Sequence, residues 1–413
     1  MNPSELPVDA ARLAGELDTL AGFSDAPAPA VTRVLFTEPD LRARAWLCGL
    51  AAEAGLHVRQ DAVGNLFLRW GDPAAEGAVG TGSHTDAIPH SGRYDGCVGV
   101  IGGLEAVRAL KAAGFRPKRP IELLMFTSEE PTRFGLGCLG SRLLSGAMAP
   151  EKAAALRDAE GRTLEEIRAA AGCSGGLETV RLPPGYYSAF VELHIEQGPL
   201  LEREGLPIGA VTAIAAPAAL RIVIDGDGGH AGAVLMPQRR DALCGAAEII
   251  LAVETAARSA TPDTVGTTGF CRVHPGAVNS VPSQVTLEID VRDVDPAPRD
   301  RVLEHIRSAT EGVCARRGLR FRIATINADP PARCGPEVVA AVTASAREAG
   351  LTCKPMVSRA YHDSLFMAQI TPTAMIFIPC RNGWSHRPDE YSSPEQIAAG
   401  VRVLAATLAK LAG

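Results

Sequence analysis

The chain has 413 residues, 46% hydrophobic and 21% charged, with a formal net charge of −6. Such a length favours two domains, or one large domain carrying an insertion, with ample apolar material for a core. The acidic balance and the lack of like-charge blocks exclude a nucleic-acid surface, and no apolar run is long enough to span a bilayer.

In chain order, the N-terminus MNPSELPVDAARLAGELDTL is acidic and amphipathic, without the basic start and apolar core of a secretion signal. Leu41 to Ala54 reads as an amphipathic helix, Asn65 to Trp70 and Ala78 to Gly82 as short strands, Val98 to Ala113 as a helix, and Ile121 to Phe126 as a buried strand. This βαβ rhythm predicts a mainly parallel sheet covered by helices. Around Val211 the character changes. Arg221 to Asp225 and Gln284 to Asp293 alternate like half-exposed strands, with helical stretches at Asp241 to Arg258 and Asp300 to Arg317. Strands flanking two helices suit an α+β ferredoxin-like domain. The βα rhythm resumes after about Pro331, with a strand at Met375 to Pro379 and a closing helix at Pro394 to Leu411. The expected fold is therefore α/β. A catalytic domain (1–211 and 331–413), with a mainly parallel mixed sheet flanked by helices, is interrupted by an inserted α+β ferredoxin-like domain (212–330). Ten scattered cysteines, with no C-x-x-C pair, point to reduced thiols in a cytoplasmic protein.

Five fragments place histidines or carboxylates where a two-metal hydrolase needs them. They are Gly82-Ser83-His84-Thr85-Asp86, Tyr94-Asp95-Gly96, Ser128-Glu129-Glu130, Glu192-Leu193-His194-Ile195-Glu196-Gln197 and Ser385-His386. Neutral imidazoles and hard carboxylates hold divalent cations, and a spare carboxylate moves a proton. His84 and Glu129–Glu130 are expected just past the C-terminal ends of strands, where open α/β sheets place their sites. Gly135 to Gly140 matches G-x-G-x-x-G, but a nucleotide cradle should follow a strand directly and open a helix. Here Glu129, Glu130, Arg133 and Phe134 intervene, so the glycines read as a loop packing the site. No P-loop and no G-x-S-x-G is present, which argues against a serine hydrolase.

At these motifs the chain resembles the metal-dependent amidohydrolases of the M20 peptidase superfamily, in the branch of N-carbamoyl-L-amino-acid, allantoate and ureidoglycolate amidohydrolases. The resemblance runs from about Thr37 to the C-terminus. GSHTDAIPHSGRYDG, FTSEEPTRFGLGCLGSRLL, GGHAGAVLMP, RAYHDSLFMA and MIFIPCRNGWSHRPDEYSS resemble the ureidoglycolate type. Pro131-Thr132 stand where the general branch has Gly-Ser, and Tyr361 where it has glycine. Both departures agree with that type.

The resemblance implies His84, Asp95, Glu130, His194 and His386 as metal ligands, with Asp95 bridging two divalent ions. Mn²⁺ is favoured; Zn²⁺, Co²⁺ and Ni²⁺ also suit carboxylate and imidazole ligands. Asp86 is expected to accept the other ring N–H of His84. Glu129 is expected to be the general base. The inserted domain is implied to act as a lid and dimerisation domain. From it, His230 would stabilise an oxyanion and Arg292 would hold a substrate carboxylate; the competing reading of Arg292 is an ion pair with Asp290 or Asp293. Asn279 and Gln197 would bond a ureido group, and His362 would line the pocket, oriented by Asp363; the competing reading of His362 is a purely structural role. The implied activity is cleavage of the ureido (N-carbamoyl) amide of a small carboxylate by a homodimer. Ureidoglycolate is the first choice of substrate, giving glyoxylate, ammonia and carbon dioxide in purine catabolism. The alternatives are an N-carbamoyl-L-amino-acid hydrolase and an allantoate amidohydrolase.

Overall fold

The computed structural model describes residues 3–413. Its longer strands, in chain order, are β1 (His57–Gln60), β2 (Leu66–Trp70), β3 (Ala78–His84), β4 (Ile121–Phe126), β5 (Tyr187–Ile195), β6 (Ile208–Ile214), β7 (Ala216–Asp225), β8 (Val265–His274), β9 (Gln284–Asp293), β10 (Arg320–Ala328), β11 (Cys353–Ser358) and β12 (Thr373–Ile378). The chain divides into two compact units. One comprises the residues up to Thr212, Cys334–Ser358 and His362–Gly413, and the other Ala213–Arg333 with Arg359–Tyr361. That last tripeptide joins the smaller unit from well outside its main span, which no boundary drawn from the sequence included.

The larger unit is built on a mixed sheet in the order β6-β12-β5-β3-β4-β2-β1, with β11 beside β6. β12, β5, β3 and β4 run parallel to their neighbours in that run, and β6, β2 and β1 pair antiparallel. Every residue of β4, Ile-Glu-Leu-Leu-Met-Phe, is buried. This is the near-continuous apolar pattern of a strand covered on both faces. One face carries the helices Cys97–Ala112 and Pro394–Ala412. The second of these starts from Ser393 in a capping box with Gln396 and has proline in its first turn, a strong start signal. The opposite face packs Phe67, Phe126 and Phe190 against Leu139, Leu143, Leu164 and Ile167 from shorter helices.

The smaller unit runs β-α-β-β-α-β. Its antiparallel sheet has the order β8-β9-β7-β10. The helices Ala242–Arg258 and Pro296–Arg317 start from Asp241 and Asp295, whose side chains accept first-turn N–H groups. Burial alternates strictly along β9, as in a sheet with one face on helices and the other open. Its inward residues Val285, Leu287, Ile289 and Val291 form a core with Ile249, Val253, Val302 and Ile306. The sequence showed two of these four strands clearly. In β8 and β10 nearly every residue is at least partly exposed, so neither carries an apolar stripe strong enough to announce itself. Among the described residues no helix is long and apolar enough to cross a membrane.

Candidate active site

The parallel strands deliver the predicted ligands to one edge. His84 is the last residue of β3 rather than a residue beyond it, and His194 is the penultimate residue of β5. Glu129 and Glu130 follow β4 in a loop that begins with Thr127 and Ser128. Ser128 has a φ of +57°, an unusual conformation for a non-glycine residue and one that collects at functional sites. Asp95 stands just before the helix Cys97–Ala112. Gly96, between them, has a φ of +65°, and a Cβ there would lie 2.4 Å from His84 Nε2. Only glycine lets the backbone pass so close to the imidazole.

Two groups of ligand atoms form, and Asp95 belongs to both. His84, Asp95 and His194 converge, as do Asp95, Glu130 and His386, each group with its ligand atoms within 4.8 Å of one another. Asp95 divides its oxygens between them. Oδ1 lies 3.1 Å from His194 Nε2 and 3.6 Å from His84 Nε2. Oδ2 lies 3.3 Å from His386 Nε2, which is also 3.3 Å from Glu130 Oε1. The two inner imidazoles are oriented from behind. His84 Nδ1 lies 3.0 Å from the Asp86 carbonyl and His194 Nδ1 lies 2.8 Å from the Ile195 carbonyl. A carbonyl can only accept, so Nδ1 carries the hydrogen and Nε2 turns its lone pair toward the cluster. His194 Nε2 accepts from the Gly96 N–H at 3.1 Å.

All of these groups except His386 are buried, and their charges are out of balance. Burial opposes the charged form of His84, but Glu129, Asp95 and Asp86 outweigh it and raise its pKa well above the usual value. Burial, with Glu130 nearby, pushes Asp86 up to about 6. Burial and then Glu192 push Asp363 up to about 8. Glu129 is raised well above the ordinary carboxylate range by burial, with Glu130, Asp363 and Asp95 adding to it. Hydrogen bonds to Asp95 and Glu130 carry His386 up to about 11. Asp95 alone goes the other way: hydrogen bonds from His194, His386 and His84 overcome its burial. Carboxylates and imidazoles rising together signal surplus negative charge in a dry place, the condition that bound cations relieve. Imidazole and carboxylate donors without thiolate fit borderline and hard divalent ions.

Glu129 stands beside the cluster, with Oε2 3.7 Å from His84 Nε2. Its loop is held by the glycine run. The N–H groups of Cys138, Leu139 and Gly140 donate to the carbonyls of Glu129, Ser128 and Thr127. A Cβ on Gly140 would lie 2.1 Å from Asn65 Oδ1, so the glycine is there for close packing. The G-x-G-x-x-G stretch is a strap on the Glu129 loop.

Several predicted residues have other partners than expected. The Asp86 carboxylate does not take the ring N–H of His84, which goes to the Asp86 carbonyl instead. It accepts the backbone N–H groups of Glu129 (3.3 Å) and Glu130 (3.0 Å). Those amides sit in a buried loop and need an acceptor, so Asp86 positions the acidic pair. Gln197 Nε2 donates to Asp95 Oδ2 at 2.6 Å. His362 is buried; its Nε2 lies 3.0 Å from Ser358 Oγ, and its ring packs edge-on against His194 with centroids 4.6 Å apart. Asp363 accepts from Ser141 Oγ. A third convergence, Glu192, His194 and His362, has its carboxylate already engaged. Glu192 accepts from the hydroxyls of Ser83 and Ser364.

His230, Asn279 and Arg292 all belong to the smaller unit. His230 and Asn279 are exposed neighbours, since the N–H of Ala231 donates to the Asn279 carbonyl. Arg292 lies on β9 and pairs with Asp290, through Nε at 2.8 Å and through Nη2 at 3.2 Å, the competing arrangement weighed above. One buried acid was not anticipated. Glu390, in the loop after His386, contacts the backbone of Tyr94 and Asp95. Burial and then the charge of Asp95 push it up to about 7.

Fold and site together define a metal-dependent hydrolase. Residues 80–410 match the model of peptidase family M20/M25/M40, and the chain belongs to this family. It is similar to a ureidoglycolate hydrolase of Arabidopsis thaliana, 53% identical over 419 residues, covering 99% of this chain and 88% of the relative. Two solved structures, AtUAH in complex with glyoxylate and AtUAH in complex with (S)-hydroxyglycine, each superpose with a TM-score of 0.92 at 52% identity, over the whole of both chains. Within the family, the chain is an amidohydrolase.

Proposed function

We propose that the protein is a cytosolic, homodimeric amidohydrolase that uses two divalent ions, with Mn²⁺ first, to hydrolyse ureidoglycolate. Its products are glyoxylate, ammonia and carbon dioxide, released in purine catabolism. The observation that carries this reading is the pair of ligand sets sharing Asp95, with Glu129, a member of neither, beside them. Similarity to ureidoglycolate hydrolase and to AtUAH bound to glyoxylate and hydroxyglycine supports the choice of substrate.

His84 and His194 would hold one ion, Glu130 and His386 the other, and Asp95 both. Ions held there polarise the ureido carbonyl and lower the pKa of water. Glu129 takes the proton from the attacking water and delivers it to the leaving nitrogen. Asp86 keeps Glu129 in reach by holding its backbone N–H. Cleavage at the ureido carbonyl releases carbamate, which decays to ammonia and carbon dioxide, and hydroxyglycine, which loses ammonia to give glyoxylate. The inserted unit serves as lid and dimerisation domain. From it, His230 stabilises the developing oxyanion. Asn279 and Gln197 bond the ureido group. Arg292 leaves Asp290 for the substrate carboxylate, an exchange of one planar bidentate partner for another. His362 closes the wall beside His194.

The test is ammonia release by metal-free protein reloaded with Mn²⁺ or Zn²⁺, comparing ureidoglycolate, allantoate and N-carbamoyl-L-amino acids. A strong preference for ureidoglycolate is expected. Activity confined to N-carbamoyl amino acids or allantoate would keep the centre and overturn the substrate.

A further inference from the structure

Glu390 is 4% exposed, and no step of the proposed reaction uses it. Its Oε1 accepts two backbone hydrogen bonds, from Tyr94 N at 2.8 Å and Asp95 N at 3.1 Å. Its Oε2 lies 3.0 Å from Ser385 Oγ, and that hydroxyl is also 2.6 Å from Asp95 Oδ2. One carboxylate therefore grips the Asp95 turn by its backbone and the His386 loop by Ser385. The segment is fixed at its far side as well. Arg381 N donates to the Tyr391 carbonyl, and Ser392 Oγ donates to the Pro379 carbonyl at 2.7 Å.

A second observation is independent of these bonds. A Cβ at Gly92 would lie 2.4 Å from three Glu390 atoms, Cβ, Cδ and Oε1. The turn carrying Asp95 thus leaves out a side chain at the place where the Glu390 carboxylate sits. Gly92 does not have a positive φ, so an alanine there is opposed by contact rather than by backbone strain, and its nearest obstacles are Glu390 atoms.

We infer that Glu390 is a positioning residue, which aims the shared carboxylate of Asp95 so that each of its oxygens serves one ligand set. This rests on the reading of Asp95 as a ligand to two ions. Both ligand sets depend on that aim, because Oδ1 faces His84 and His194 while Oδ2 faces His386. A small rotation of the turn takes an oxygen from one set, and Ser385 ties the His386 loop to the same anchor.

The experiment compares the full-length protein with Glu390→Gln, Glu390→Ala and Gly92→Ala after reloading with Mn²⁺. It reads ions per chain by mass spectrometry, the spin-coupled signal of a Mn²⁺ pair by electron paramagnetic resonance, kcat, KM and melting temperature. Glu390→Gln is expected to keep the coupled signal, because its amide oxygen still accepts both backbone N–H groups. Glu390→Ala and Gly92→Ala are expected to weaken Mn²⁺ binding by about 10- to 100-fold, the usual consequence of losing a group that orients a ligand. The coupled signal and kcat should fall with it, at unchanged KM. Glu390→Ala with full ion content, an intact coupled signal and normal kcat overturns the inference. So does an equal loss in all three variants in step with melting temperature, which marks a structural role only. Wild-type protein that binds no ions overturns the two-ion reading beneath it.

Discussion

Glu129→Gln is expected to lower kcat by about 10²- to 10⁴-fold, the usual contribution of a general acid–base group, while the protein still binds its ions. The separation follows from geometry. Glu129 belongs to neither convergent ligand set. It lies beside His84 at 3.7 Å, and its backbone is fixed by Asp86 and Cys138. Glutamine preserves the shape and those backbone bonds but cannot take up a proton. Removing the charge also removes the cost of burying it, the largest cause of the raised pKa of Glu129, against which stands the lost attraction to His84. The variant should therefore be at least as stable as the parent. Steady-state kinetics with ion content measured on the same sample decides it. Normal turnover by the glutamine variant removes Glu129 from the mechanism, and loss of ions would make it a ligand.

Asp95→Ala is expected to abolish activity together with ion binding. It is the residue common to both ligand sets, so its loss strips one oxygen from each. The effect on ion affinity should exceed the roughly 10- to 100-fold caused by losing an outer partner. His386→Ala should be milder toward the first set, because His386 faces only Oδ2 of Asp95 and Glu130. The apo protein should respond in the opposite sense. Without Asp95, the positive shifts of His194 and His386 lose their main hydrogen-bonding cause. Elemental analysis of Asp95→Ala, His386→Ala and the parent after identical Mn²⁺ loading checks the ranking. Full ion content in Asp95→Ala would refute the shared-carboxylate arrangement.

What the sequence made legible was local. A near-continuous apolar run identifies β4, and periods of two and 3.6 residues identify β9 and the helices Ala242–Arg258 and Pro394–Ala412, since apolar side chains a few positions apart share a face. The candidate ligands were legible because each sits in a short motif, with His84 and His194 at strand ends and Glu130 just past one. Groups that meet across long spans were not. Glu390 reaches Tyr94 over 296 positions, and nothing near Glu390 in the chain announces the bond. The same holds for the Asp86 carboxylate, bonded 44 positions away to Glu130 N. The spacing His84-Thr85-Asp86 suggested a contact between side chains, but the nearer backbone carbonyl supplied it. Gln197 and Arg292 were read for their substrate chemistry. Each has a carboxylate partner in the structure, Asp95 and Asp290, because a charged or amide group is rarely left without one.

The most direct test of the two-ion centre is to titrate chelator-stripped protein with Mn²⁺, counting bound ions per chain while following ureidoglycolate hydrolysis. Activity should be absent without metal and should rise until a second ion per chain is bound, with the coupled Mn²⁺ signal growing alongside it. Full activity in the stripped protein, or a plateau at one ion with no coupled signal, would contradict the account.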